Sequence, residues 1–320
     1  MNVILRSRSY HRLRIVLLLG LFSLVGGIVW ATQEGKNSEI HNKPVKLGVD
    51  LVTLNVTVLT TEGGIVTSLG KNSFEVYEDK VKQQITHFSR EDTPVSLGII
   101  FDLSGSMKGK SRDARRALEK SLELCREDDE IFIIGFNHRV NLLRDFTSND
   151  SEIFNSVSLV KPEGHTALID AIYMGMEKLK QSRYSRRALL IISDGQDNSS
   201  RYTSKELKQL VKESDVVIYS IATANLYGDM TELDYGGLEL LERISEASGG
   251  RAYSPQGEQQ LNLVCAHVAL QLHRQYSIAY VSTNSERDGR WRRLKVKVRG
   301  PEKLGPLVVQ ARNGYYAYPE

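Results

Sequence analysis

Val-Ser-Leu-Gly-Ile-Ile-Phe-Asp-Leu-Ser-Gly-Ser, residues 95–106, decides how this chain is read. Residues 95–101 form an almost unbroken apolar run. It is what a strand covered on both faces requires. Directly past its end, Asp102, Ser104 and Ser106 put a carboxylate and two hydroxyls on one tight loop. They are three hard oxygen donors facing one space. Residues 111–125 then carry Ala114, Ala117, Leu118, Leu122 and Cys125 at helical spacing.

The same rhythm continues downstream. Strands are predicted at 131–136, 140–146, 188–192, 216–221 and 250–253, and helices at 151–159, 167–181, 204–213, 238–247 and 259–273. Such alternation predicts an α/β fold, a doubly wound and mostly parallel sheet with helices on both faces. Small β-modules flank it. On the N-terminal side, Val52, Leu54, Val56 and Val58 alternate with Thr53, Asn55 and Thr57, and further β-like pieces lie at 65–69, 74–78 and 84–88. On the C-terminal side come 276–281, an Asp288-Gly289 turn, Leu294, Val296 and Val298 alternating with Lys295, Lys297 and Arg299, and then 307–312. That alternation makes the basic run 290–299 a solvated strand face rather than a polyanion stripe. Each flank is short for independent stability, so the two are expected to form one sandwich through which the α/β unit is inserted. The division is a leader at 1–31, a linker at 32–44, an N-terminal β-module at 45–92, the α/β domain at 93–274 and a C-terminal β-module at 275–320.

At 320 residues, with 41% hydrophobic and 25% charged positions, the chain is globular rather than disordered or multiply membrane-spanning. Two cysteines exclude a disulfide-dense scaffold. The net charge of +3 is carried by Arg6, Arg8, Arg12 and Arg14 in a stretch without acids, and without those four charges the chain is at −1. Nucleic acid is therefore not an expected partner. The uncharged apolar run 15–31 follows those arginines, with small residues at Val29 and Ala31, and reads as an export signal cleaved after Ala31. Its length also approaches that of a thin bilayer span, so an uncleaved membrane tether through 15–31 is the alternative. Either reading places the rest of the chain outside the cytoplasm: periplasmic, secreted or anchored in the envelope.

A second carboxylate, Asp194, ends another apolar strand, and Gly164-His165-Thr166-Ala167 opens a helix with one more hydroxyl. Asp102, Ser104, Ser106, Thr166 and Asp194 are oxygen donors without histidine or cysteine. Such a set describes a hard divalent cation, Mg2+ first and then Ca2+ or Mn2+. All five are expected on loops at the carboxyl ends of the strands, where doubly wound sheets open a crevice, with Asp102 on a solvent-facing loop. Asp197 and Asn198 are either partners of these ligands or ordinary turn residues. His138 and His165 lack any nucleophile-elbow, His-Glu-x-x-His or Cys-His setting and read as loop histidines, so no catalytic residue is assigned. Cys125 and Cys265 each continue an apolar helical face and read as buried free thiols.

The series Asp102-x-Ser104-x-Ser106, Thr166 and Asp194-Gly195 resembles the metal-ion-dependent adhesion site (MIDAS) of von Willebrand factor A domains, over roughly residues 93–274. The resemblance implies that Ser104, Ser106 and Thr166 ligate through their hydroxyls, while Asp102 and Asp194 act mainly through coordinated waters. It implies a non-enzymatic adhesion or protein-binding module whose open metal position takes an Asp or Glu carboxylate from a protein partner. An envelope-complex assembly subunit is one alternative; a metal-assisted hydrolase, lacking a positioned base, is another. It further implies that the first and last helices share one side of the sheet, which leaves a Cys125–Cys265 disulfide open, and that the last helix is the element that shifts in those domains that switch. In the flanks, Lys-Asn-Ser-Phe-Glu-Val-Tyr-Glu-Asp at 71–79, Gln-Gln-Ile-Thr-His-Phe at 83–88 and Ala-Arg-Asn-Gly-Tyr-Tyr-Ala at 311–317 resemble an exported bacterial family of related proteins typified by Acidobacteria. For that family the resemblance implies a fold and a location.

Overall fold

The computed structural model describes residues 51–90, 93–158, 160–223 and 231–317. The leader, the linker and the first residues of the N-terminal β-module lie outside the described residues. In the N-terminal flank, β1 (Leu51–Thr60), β2 (Phe74–Glu78), β3 (Val81–Gln83) and β4 (Ile85–Ser89) follow one another. The piece at 65–69 is not a strand; only Ile65 bridges to Leu59. The segment instead turns inward to bury Val66 and Leu69. The short β3 pairs with β2 across Asp79 and Lys80, which take φ of 45° and 72°. Two successive positive φ values are the turn that matches the twist of a two-residue hairpin.

The α/β unit runs β5 (Ser96–Asp102), α1 (Ser111–Leu122), β6 (Glu130–Phe136), β7 (Val140–Thr147), α2 (Asp150–Ser158), α3 (Leu168–Leu179), β8 (Arg187–Ser193), α4 (Ser204–Glu213), β9 (Val217–Ala222), α5 (Glu232–Ser248), β10 (Ala252–Tyr253) and α6 (Gly257–His273). Its six strands lie in the order β10-β9-β8-β5-β6-β7, all parallel except for β7 at the edge. Successive residues of β5 serve opposite faces. Leu97, Ile99 and Phe101 pack with α1, α2 and α6, whereas Ile100 packs with α3, α4 and α5. Each such side chain, fully covered, contributes on the order of 2 kcal/mol. The doubly wound expectation therefore holds, and α1 and α6 share one face.

α5 starts at Glu232, not at 238. Thr231 accepts from the Asp234 N–H while Asp234 accepts from the Thr231 N–H, a reciprocal cap that starts the helix a turn and a half earlier.

After α6 the chain adds β11 (Tyr276–Val281), β12 (Trp291–Val298), β13 (Leu307–Gln310) and β14 (Gly314–Tyr316). The two flanks interleave: one sheet is β13-β1-β11-β4 and the other β14-β12-β2-β3. Val52, Leu54, Val56, Phe74, Val76, Tyr276, Ile278, Tyr280 and Leu294 from both sheets fill a single core. Strands from either flank alone would leave these side chains in water.

Candidate metal centre

Parallel pairing ends β5 at Asp102 beside Phe136 of β6, and β8 ends at Ser193. The chain leaves β5 toward β6 on one side and returns through β8 on the other, so the loops after β5 and β8 open a crevice at the point where strand order reverses. Contrary to the solvent-facing expectation, Asp102 is only 1% exposed. It remains in strand register, and the following loop folds over it. Asp102 Oδ1 accepts from the Ser104 N–H (2.9 Å) and the Ser104 hydroxyl (2.5 Å), and Oδ2 accepts from the Ser193 hydroxyl (2.6 Å). Burial pushes the Asp102 carboxyl up to about 6; the Ser104 and Ser193 hydrogen bonds oppose that rise and the nearby Asp194 charge adds to it. Ser104 Oγ and Ser106 Oγ lie 2.9 Å apart on the 3-10 turn that follows.

Asp194 is fully buried, and its Oδ1 accepts from the Gln196 N–H at 3.2 Å. Gly195 takes φ of 80°, and a Cβ there would come within 2.2 Å of the Gly237 carbonyl oxygen. A Cβ on Gly237 would lie 2.3 Å from the Asp194 carbonyl oxygen. The start of α5 therefore packs backbone to backbone on the Asp194 turn, which only glycine permits.

Main-chain bonds tie the loops together. Gly105 N–H donates to the Gly164 carbonyl (2.9 Å) and Glu163 N–H to the Leu103 carbonyl (3.0 Å). Thr166, 1% exposed, donates its N–H to Asn198 Oδ1 (2.9 Å), while its carbonyl accepts from the Asn198 and Ser199 N–H groups (3.0 Å each). Asp197 Oδ1 accepts from the Ile169 N–H (3.2 Å) and the Ser200 hydroxyl (2.6 Å). Asp197 and Asn198 thus hold the Thr166 turn against the loop after β8.

Three participants were not read from the sequence. Ser193 orients Asp102 from the neighbouring strand. Lys110, just before α1, brings its ammonium to 3.1 Å from Asp194 Oδ2 and 3.3 Å from Asp234 Oδ1. Asp234 carried a local signal in Thr231-Glu-Leu-Asp234, a capping-box spacing; Lys110 and Ser193 carried none, because only the fold brings them to the site.

Chemically, the cluster is all oxygen on its ligating side and carries buried negative charge, the donor chemistry of a hard cation. Among the described residues no group of three or more His, Cys, Asp or Glu is placed to hold a metal, so any ion here depends on the hydroxyls as well as on Asp102 and Asp194. His138 and His165 are exposed on loops. Cys125, half-buried rather than buried, and Cys265 are both free thiols. They flank Ser121, whose carbonyl accepts from Cys125 Sγ (3.4 Å) and whose hydroxyl reaches Cys265 Sγ (3.6 Å), and burial raises the pKa of both.

The doubly wound α/β unit carries a match to the family model of the von Willebrand factor type A domain over residues 97–196. The chain is similar to an uncharacterized protein of Synechocystis sp., 26% identical over 202 residues covering 59% of this chain and 47% of that one. It is also similar to an inter-alpha-trypsin inhibitor heavy chain of Mus musculus, 25% identical over 182 residues covering 52% of this chain and 18% of that one. This chain spans less than half the length of the curated relatives it matches. Among solved structures, a von Willebrand factor type A protein from Catenulispora acidiphila aligns over 85% of this chain and 74% of its own, with a TM-score of 0.47 and 9% identity.

Proposed function

We propose that Asp102, Ser104, Ser106, Thr166 and Asp194 hold a divalent cation, Mg2+ in preference to Ca2+ or Mn2+, and that the chain is an exported, non-enzymatic protein-binding module. The bound ion would act as a Lewis acid presented at the crevice, and an Asp or Glu carboxylate of a protein partner would complete its coordination. The observation that carries this reading is the packing of the Asp102, Ser104 and Ser106 oxygens within 2.5–2.9 Å of their neighbours, beside a second buried carboxylate. These oxygens already converge through hydrogen bonds to one another, and a hard ion would take the place of those bonds as their common partner. Beside Asp194 lies an open groove of about 480 Å3, lined among others by Gln196, Asn198, Tyr202, Leu233 and Arg243, which offers a partner contact surface around its carboxylate. Leu233 there is 69% exposed, an apolar side chain that a bound partner would cover.

Export rests on the leader at residues 1–31. None of the helices among the described residues is long and apolar enough to cross a membrane. The leader reading makes Thr32 the first residue of a soluble mature protein; Met1 found on a membrane-bound product identifies the tether instead.

Mg2+ titration calorimetry tests the site. Ser106→Ala, at a half-buried hydroxyl whose loss leaves the fold intact, is expected to weaken Mg2+ binding at least about tenfold with an unchanged circular dichroism spectrum. Wild-type affinity in Ser106→Ala and in a folded Asp194→Asn together removes the assignment. Pull-down with the exported portion, with and without chelator, tests whether the partner depends on the metal.

A further inference from the structure

The Lys110 ammonium is the cation already seated at this cluster. The Lys110 side chain is 18% exposed and its two partners less so: Asp194 is fully buried and the Asp234 side chain 7% exposed. Ion pairs this shielded are screened little by salt. The remaining oxygens of both carboxylates are committed. Asp194 Oδ1 accepts from the Gln196 N–H, and Asp234 Oδ2 accepts from the Thr231 N–H (3.0 Å) and hydroxyl (2.7 Å). Asp194 Oδ2 and Asp234 Oδ1 therefore share one ammonium between α1 and α5.

We propose that Lys110 is a tethered competitor for the divalent cation: without metal it neutralises Asp194, and on metal arrival it gives up Asp194 and stays paired with Asp234. This rests on the metal reading of the site given above. A doubly charged ion drawing on Asp194 repels an ammonium on the same carboxylate. Ordinarily, evicting a half-buried lysine would strand an unpaired charge. Asp234 removes that cost, because it already stands 3.3 Å from the ammonium. The metal affinity is then lower than the donor set alone would give, and it is set by how the ammonium divides between the two carboxylates. Because Asp234 also caps α5, that division reaches the helix that carries Leu233 and borders the groove.

Mg2+ titration calorimetry on the full chain, with thermal melts in EDTA and in saturating Mg2+, tests this on Lys110→Met, Asp234→Asn and the double variant. Lys110→Met is expected to bind Mg2+ about tenfold more tightly than wild type, since one opposing charge is gone from a poorly solvated site. It should melt lower than wild type in EDTA, with the gap closing in Mg2+. Asp234→Asn should bind several-fold more weakly, because the ammonium then has only Asp194, and this loss should vanish in the Lys110→Met background. A purely structural role for Lys110 cannot tighten binding. Equal or weaker Mg2+ binding by a folded Lys110→Met overturns the proposal, as does an Asp234→Asn effect of the same size in both backgrounds. If Lys110→Met does not fold, unchanged affinity in Asp234→Asn overturns it. Wild-type protein that binds no Mg2+ overturns the metal reading itself, and the competition with it.

Discussion

At the residue scale, the candidate site depends on side chains that hold other side chains. Ser193 is fully buried; its hydroxyl donates to Asp102 Oδ2 at 2.6 Å and accepts from the Gly195 N–H at 2.9 Å. One atom thus orients the Asp102 carboxylate and anchors the turn that carries Asp194. Ser193→Ala leaves a buried N–H without its acceptor and a carboxylate without a donor, so urea unfolding should show a loss of about 1–3 kcal/mol. Mg2+ affinity should fall with it. A variant that loses stability but keeps full Mg2+ affinity would confine Ser193 to a structural role. Gly237→Ala is expected to act at the same place through the backbone. Its Cβ meets the Asp194 carbonyl at 2.3 Å, where no flexible side chain can give way, so α5 must lift off the turn, at a cost of about 1–3 kcal/mol.

At the element scale, the C-terminal end of α6 is held by a buried contact between an imidazole and a carboxylate. His273 Nε2 lies 2.7 Å from Asp129 Oδ2, while Asp129 also accepts from the Val95 N–H and the Arg126 N–H at 2.9 Å each. Arg186 donates to the His273 carbonyl at 2.7 Å. Burial alone would raise the Asp129 carboxyl, but the His273, Arg126 and Val95 hydrogen bonds outweigh it and hold the group below the ordinary carboxylate value. A depressed folded-state pKa contributes stability that is fully present above the unfolded value and lost as pH falls through the folded one. Wild-type protein should therefore lose this contribution only below about pH 4. Asp129→Asn should be less stable by about 3 kcal/mol at neutral pH and show a flatter acid limb in denaturant melts. The same clamp opposes a slide of α6. If ligand binding shifts this helix nonetheless, hydrogen exchange over residues 255–281 should differ with and without ligand at saturating Mg2+, and the difference should grow in Asp129→Asn.

At the scale of the whole molecule, the flanks stand or fall together. Glu78 of β2, 3% exposed, accepts from the Tyr280 hydroxyl (2.6 Å), the Ser282 hydroxyl (2.7 Å) and the Tyr315 hydroxyl (3.0 Å). Tyr276, at the start of β11, accepts from the Leu69 N–H (3.0 Å) and donates to the Val66 carbonyl (2.8 Å), two contacts more than 200 positions away in sequence. Removing residues 275–320 takes β11 and β13 from β1, and β12 from β2. The N-terminal strands then have no core: β1 and β4 are left without a partner strand, and β2 keeps only β3. Such a chain should expose residues 51–90 to limited proteolysis and aggregate; protection of that stretch equal to wild type would contradict the interleaved architecture.

The local signals in the sequence determined which segments became strands and helices wherever one physical cause acted alone. The apolar run at 95–101, the helical spacing after Ser111 and the alternation in 294–298 each stated their element without help from the fold. Reading fell short where an element is brief or its bounds are set by a cap. The break after Glu78 is the hairpin turn Asp79-Lys80, but the three-residue strand β3 that it leads into has too little pattern of its own to be read. The helix read at 238–247 begins at Glu232, where the Thr231–Asp234 cap offsets the propensity cost of Gly236-Gly237 and close approach to the Asp194 turn demands Gly237. Only the tertiary structure buried Asp102, decided which strands of the two flanks pair, and set Lys110, Ser193 and Asp234 around the site. The reason is common to all three: these contacts link residues far apart in the chain, and a sequence pattern reports what repeats within a helix turn or a strand, not what chain closure brings together.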